Sequence, residues 1–234
     1  RYFTVDGSNG MSSGQYGLKV TYSANSVRGT GLQTTNDRLA AFIKMSGYTL
    51  DYTIKRVEVD GGYTPRTHTT HYSTSGSGFT SNDSGTLRRL TGTYAGMWTE
   101  NIRITECYVH NVPSNAIYVG ANWYQGSLPL RNIEIDNNIV HDTGQDGFTC
   151  KAWMGGTNSV HDNDVQYTGM DPRADGTYET REGLTTGSVN QRVGFSVFDG
   201  YADVYSNMVR DVGRRAGVSP AAHGFSIASV YATA

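Results

Sequence analysis

Only two cysteines, Cys107 and Cys150, occur in this chain of 234 residues. Two thiols so far apart make neither a disulfide framework nor a metal-ligand cluster, so covalently stapled and zinc-stapled folds are set aside. Proline is scarce, with 5 residues, and charged residues make up only 17%. No apolar run is long enough to span a bilayer. The formal net charge is -2, which provides no global positive field to gather nucleic acid or another polyanion. An acidic ligand would have to be met by local cations. Arg1 stands where an initiator methionine is expected, and no signal peptide is visible, so we read the chain as a processed or trimmed form.

Glycine and tyrosine, in contrast, are abundant, with 29 and 16 residues, and aromatic residues reach 11%. That is too apolar and aromatic for a disordered chain. The decisive feature is an internal repeat. NIRITECYVHNVPSNAIYVG (101–120) aligns without a gap on NIEIDNNIVHDTGQDGFTCK (132–151), with Asn101/Asn132, Ile102/Ile133, Ile104/Ile135, Val109/Val140 and His110/His141 identical. A third copy, NSVHDNDVQYTG (158–169), repeats the pattern with Val160, Asn163, Val165 and Gly169. A fourth, ADVYSNMVRDVG (202–213), repeats it with Val204, Asn207, Val209 and Gly213. Each copy then reaches a short apolar strand: NAIYVG, DGFTCK, VGFSVF or HGFSIA.

The spacing between copies varies while the pattern holds, as in a coil whose core strands are fixed and whose corner loops vary in length. Ile102/Ile104 and Ile133/Ile135 alternate with polar residues, the signature of strands with one buried face. Asn138, Asn163 and Asn207 suit a sharp corner, because Asn tolerates the left-handed conformation and can stack in a ladder. The expected fold is therefore all-β, a right-handed parallel β-helix forming a single domain over 1–234. An antiparallel β-sandwich is the alternative. Val109, Val140, Val165 and Val209 are expected in one inward column. YFTVDG, YGLKVTY, YTIKRVEVDGG and GFTS read as earlier rungs, 36–45 as a short helix or loop turn, and 61–94 as long surface loops. Cys150 should point inward and Cys107 should occupy the corner, too far apart to be bridged.

On the last strand of each copy, Ile117, Phe148 and Phe195 alternate inward, which turns Tyr118, Gly120, Thr149, Lys151 and Ser196 outward. One rung across and two residues along place Tyr118 and Lys151 roughly 8 Å apart at the backbone, close enough to bracket a sugar ring. Flanking segments carry Trp123, Tyr124, Trp153, Arg173, Arg181, Gln191 and Arg192. Aromatic rings cover the apolar faces of pyranoses, and guanidinium forks match carboxylates. An outward lysine beside a tyrosine can serve as a general base. The stacked His110 and His141 read as a surface pair, and Asp136, Asp142 and Asp146 as corner residues favoured by backbone chemistry.

The repeat over 101–228 and the strand GFTCK ending in an outward lysine resemble the parallel β-helix polysaccharide lyases, which include pectate and alginate lyases. The resemblance implies a secreted, monomeric enzyme acting on a 4-linked uronic acid polysaccharide, alginate before pectate, by β-elimination. It implies Lys151 as base and Tyr118 as its acid or base partner. By location, Arg173, Arg181 or Arg192 would neutralise the uronate carboxylate, a task that Ca²⁺ performs in some such lyases. Trp123, Tyr124, Trp153, Thr149 and Gln191 complete the expected substrate contacts. Three alternatives stay open. DTGQDGFTCKAW resembles a polygalacturonase segment, with Gln145-Asp146 in place of paired aspartates; DPRADG (171–176) is similar to the Asp-Pro-His motif of mannuronan epimerases, with Arg in place of His. The third is a non-catalytic sugar-binding or tail-spike module, which would keep the aromatic groove without needing Lys151 or Tyr118.

Overall fold

The computed structural model of the protein describes residues 3–8, 16–21, 41–45, 50–62, 77–83, 99–112, 115–121, 130–144, 146–151, 153, 155–169, 193–198, 200–212 and 223–228. All regular elements among them are strands, and none is a helix that could cross a membrane. The strands form three six-stranded sheets. The first contains Phe3–Asp6 (β1), Leu50–Lys55 (β4), Thr99–Thr105 (β7), Leu130–Asp136 (β10), Ser159–His161 (β13) and Asp203–Tyr205 (β16). The second contains Leu18–Thr21 (β2), Val57–Asp60 (β5), Tyr108–Val112 (β8), Ile139–Thr143 (β11), Asp164–Gln166 (β14) and Met208–Arg210 (β17). The third contains Ala41–Met45 (β3), Ser77–Asp83 (β6), Ile117–Ala121 (β9), Phe148–Lys151 (β12), Val193–Phe198 (β15) and His223–Ala228 (β18). The chain visits the sheets in rotation and pairs each strand in parallel with the strand one turn earlier. This arrangement is that of a parallel β-helix.

Strict register puts like side chains over like. In the second sheet Val20, Val59, Val109, Val140, Val165 and Val209 are consecutive partners, so the expected valine column is present and extends two rungs earlier, through Val59 to Val20. The first sheet stacks Val5, Ile54, Ile104, Ile135, Val160 and Val204 in the same way. In the third, Phe148 lies on Phe195 with ring centroids 4.6 Å apart, and Phe195 on Phe225 at 5.3 Å. Ile54, Ile104, Ile135, Val109 and Val140 are fully buried, and each such side chain contributes roughly 1.5–3 kcal/mol.

The corners are built from residues in the left-handed region. Between the first and second sheets these are Arg56, Glu106, Asn137, Asp162 and Ser206, with φ of 53–54°. Immediately after them stand Asn138, Asn163 and Asn207, whose amides form the expected ladder. Asn163 Oδ1 accepts from the backbone N–H of Asn138 at 2.9 Å, and Asn207 Oδ1 from that of Asn163 at 3.1 Å. The left-handed residue is thus one position earlier than the sequence reading placed it, and the ladder asparagine holds the turn from the side. A second ladder, Asp51–Asn101–Asn132, joins side chains of 2.7 and 3.0 Å at the corner entering the first sheet, again on residues with positive φ.

Two expectations are overturned. Ser77–Asp83, inside the 61–94 span read as long surface loops, is strand β6, paired in parallel with β9, so GFTS is a rung as its sequence implied. Residues 41–45 are strand β3, paired in parallel with β6, where the sequence reading placed a helix or loop turn. The apolar run AAFIKM fits either period, and stacking against the next rung decides it. Cys107 and Cys150 are free and buried as expected, and burial pushes the Cys107 thiol up to about 12.

Cys107 occupies the ladder position one rung before Asn138 and imitates its bonds. Its Sγ lies 3.2 Å from Thr105 O and 3.8 Å from Ile54 O; Asn163 makes the equivalent pair of bonds to His161 O and Ile135 O. Cys107→Asn should therefore keep or raise the denaturation midpoint, whereas Cys107→Ala should cost about 1 kcal/mol. A lower midpoint for the asparagine variant than for the alanine variant would contradict the imitation.

A second test concerns Asp136, which is 1% exposed. Burial raises its pKa, but the hydrogen bonds from Arg103, Asn137 and Thr105 outweigh burial and hold it below the usual carboxylate value. Arg103 reaches it with two bonds of 3.0 Å. A depressed folded pKa gives stability that is complete above the unfolded value near ~4 and is lost as pH falls through the lower folded value. Asp136→Asn should remove roughly 1–3 kcal/mol at pH 7, discounted for the half-exposed arginine, and flatten the acid limb of the stability–pH curve.

Candidate active site on the third sheet

Within β12, Phe148 and Cys150 are buried in the core, so Thr149 and Lys151 alternate to the outer face. Thr149 pairs with Tyr118 and Ser196, and Lys151 with Gly120. Tyr118 and Lys151 are therefore diagonal neighbours across adjacent rungs, as their sequence positions imply.

Gly120 explains how close they come. A Cβ on Gly120 would lie 2.7 Å from Lys151 Cβ and 3.1 Å from Tyr118 Cε1. The Tyr118 ring edge, from the same strand, and the stem of Lys151, from the next rung, close over the buried glycine. The missing side chain makes room for both, a feature that the repeat did not mark as important.

The rest of the face differs from an open strip. Thr149 is 5% exposed and Ser196 is fully buried. Both hydroxyls turn to Asp146: Thr149 Oγ1 donates to Asp146 Oδ2 at 3.0 Å, and Ser196 Oγ approaches it at 3.5 Å. Asn115, the equivalent of Asp146 one rung earlier, donates to Thr149 Oγ1 at 3.2 Å and accepts from the Asp146 N–H at 3.1 Å. Thr149 is thus a support for Asp146, not a surface that a ligand meets first. Asp146 was read from sequence as a corner residue. It does open β12, yet its carboxylate belongs to the outer-face cluster. Its partners lie 3 and 50 residues away, and only the latter distance hides the link from a local reading.

Tyr118 is held protonated above the ordinary tyrosine pKa, first by burial and then by the negative charge of Asp146. At neutral pH it can donate a proton. Trp153 is a correction. It is fully buried, its indole N–H bonds Val119 O at 2.8 Å, and it bridges Leu130, so it packs the corner instead of lining a groove. Trp123, Tyr124, Arg173, Arg181, Gln191 and Arg192 lie outside the described residues. The donor set on the described part of this face has one carboxylate, Asp146. That does not make a Ca²⁺ site, which takes six to eight oxygens.

No known protein family matches the chain, and neither the curated proteins nor the solved structures yield a match.

The role of Gly120 is testable directly. Gly120→Ala should destabilise the protein by roughly 1–3 kcal/mol through overpacking. Because the nearest clash is with Lys151 Cβ, the cost should shrink in a Lys151→Gly background, measured as a double-mutant cycle. Additive costs would place the crowding elsewhere.

Proposed function

We propose that the chain is a polysaccharide lyase that cleaves a 4-linked uronic acid polysaccharide, alginate in the first instance, by β-elimination. The observation that carries this reading is that the Tyr118 ring and the Lys151 stem meet over Gly120, on the outer face of one parallel sheet. In the proposed reaction Lys151 Nζ takes the C5 proton. The electron pair left on C5 forms the C4–C5 double bond, the C4–O4 bond breaks, and the departing O4 takes the Tyr118 proton. A tyrosine whose proton is retained by burial suits the acid role.

The C5 proton is acidic enough only when the uronate carboxylate is neutralised. Arg173, Arg181 and Arg192 are the proposed clamp, and Trp123, Tyr124 and Gln191 the proposed groove contacts, on their sequence positions alone. Hydrolysis would need a second carboxylic acid to work with Asp146, and the residue beside it in sequence is Gln145. The Asp146 carboxylate is also already engaged by two hydroxyls, which favours elimination over hydrolysis. With this function go a right-handed coil, the hand that parallel crossovers almost always take, a single domain, a monomer and a secreted location.

Incubation with alginate, pectate and glucuronan in parallel, followed by the absorbance of the unsaturated uronate, tests the proposal. Lys151→Ala should lower kcat by ~10²–10⁴ while substrate still binds, and Tyr118→Phe should lose a comparable factor. A loss well below tenfold in Lys151→Ala would place the base elsewhere. Reducing ends without unsaturated product would indicate a hydrolase, and neither signal on any of the three polymers would indicate a binding module.

A further inference from the structure

The second sheet carries a different cluster on its outer face. Glu58 and Asp60 project from β5, His110 projects from β8, and Lys19 from β2. One ligand atom from each of Glu58, Asp60 and His110 falls in a group whose members all lie within 4.8 Å of one another. His110 Nε2 is 3.0 Å from Glu58 Oε1 and its Nδ1 is 3.8 Å from Asp60 Oδ1. The Lys19 ammonium sits among them, 2.7 Å from Glu58 and 3.2 Å from Asp60.

Two carboxylates and one ammonium leave one negative charge uncompensated when His110 is neutral. Glu58 is bonded by Lys19 and His110, and Asp60 by the Gly62 N–H, Lys19 and Asn111. The cluster therefore holds two anions ready and already attracts one cation. That resident cation is weakly held: the Lys19 side chain is 46% exposed, and exposed ion pairs are worth about 0–1 kcal/mol.

The imidazole, in contrast, is fixed. It stacks on Tyr108 with centroids 4.2 Å apart and planes 16° from parallel. Tyr108 in turn stacks on Tyr16 at 5.8 Å. Asn111 Nδ2 faces His110 Nδ1 at 2.9 Å. A ring held by stacking and by a neighbour on its second nitrogen is how metal-binding histidines are oriented.

We propose that Glu58, Asp60 and His110 form a binding site for a divalent transition ion of the zinc class, and that the ion enters by displacing Lys19. A donor set of one imidazole and two carboxylates suits Zn²⁺ or Co²⁺, with solvent completing the shell. Lys19 leaves as an ammonium into water, so the charge of the loaded site is balanced by the ion. On Nε2 coordination the imidazole proton resides on Nδ1, and rotation of the Asn111 amide offers its oxygen to that proton. This site is on a different sheet from Tyr118 and Lys151 and does not depend on the lyase reading.

The test is a titration of chelator-treated protein with Co²⁺, followed by its visible absorption and by displacement with Zn²⁺. One Co²⁺ per chain is expected, with an intense tetrahedral spectrum. His110→Ala and Asp60→Asn should weaken binding about tenfold or more. Lys19→Met keeps all three donors and removes the competing cation, so it should bind at least as tightly as the parent and show a larger thermal shift with Zn²⁺. Absence of a Co²⁺ spectrum in both the parent and Lys19→Met overturns the site. So does unchanged binding in His110→Ala. Weaker binding in Lys19→Met overturns displacement of the lysine.

Discussion

Each rung of this protein must turn through three corners at the same angle as the rung beneath it, or the parallel hydrogen bonds between rungs cannot all form. An L-residue in the left-handed conformation provides the turn, and it costs about 1–2 kcal/mol at non-glycine positions. The chain accepts that cost repeatedly, at Arg56, Glu106, Asn137, Asp162 and Ser206 along one corner alone. What makes it tolerable is the neighbouring ladder, where Asn138, Asn163 and Asn207 take up backbone groups that a turning chain leaves without sheet partners. The left-handed position itself can then be Arg, Glu, Asn, Asp or Ser. Identity is constrained at the asparagine beside it.

This division explains which parts of the fold were legible in the sequence. The valine column recurs once per rung and the asparagine ladder in three successive rungs, at positions whose environment repeats, so the same residue types answer the same demand. Where one rung answers with a different residue, as with Cys107, the signal weakens although the geometry does not change. Strand β3 was missed for the opposite reason. Its residues, Ala41–Met45, are apolar at every position but Lys44 and so show no clean alternation, and only their pairing with β6 distinguishes a strand from a helical turn. Trp153 was misplaced because a tryptophan beside two glycines in sequence resembles a loop, whereas its indole closes a corner by bonding Val119 O.

The outer faces obey no such repetition, and this is why the sites were only partly legible. A core position sees nearly the same surroundings in every rung. An outer position sees whatever its two neighbouring rungs display. Tyr118 and Lys151 could be paired from the alignment because both lie on consecutive copies of the same strand. Glu58 and His110, 52 residues apart in the chain, belong to rungs separated by segments of unequal length, and their sequence contexts share no repeat. His110 was aligned with His141 and read as a surface stack. The two are indeed register partners, but their rings engage different groups: His110 faces Tyr108 and Glu58, and His141 meets Tyr167 edge-on.

A coil of this kind therefore separates the work of folding from the work of its surface more completely than a packed globule does. The core columns and corner ladders fix the position of every outward Cβ to within the spacing of the rungs, whatever side chain it carries. Gly120 illustrates the consequence. Its register neighbours carry side chains, and the absence of one here makes room for the Tyr118 ring and the Lys151 stem to pack against the same stretch of backbone. Asp146 illustrates the limit. Its carboxylate lies almost wholly out of water, and it stays hydrogen-bonded through Thr149 and Ser196, with Asn115 of the preceding rung bonding Thr149 Oγ1 and the Asp146 N–H. A polar group on an outer face can be buried only if adjacent rungs change together. Such coordinated departures from the repeat are visible at Asp146, where Asn115, Thr149 and Ser196 of neighbouring rungs change together to hold one buried carboxylate.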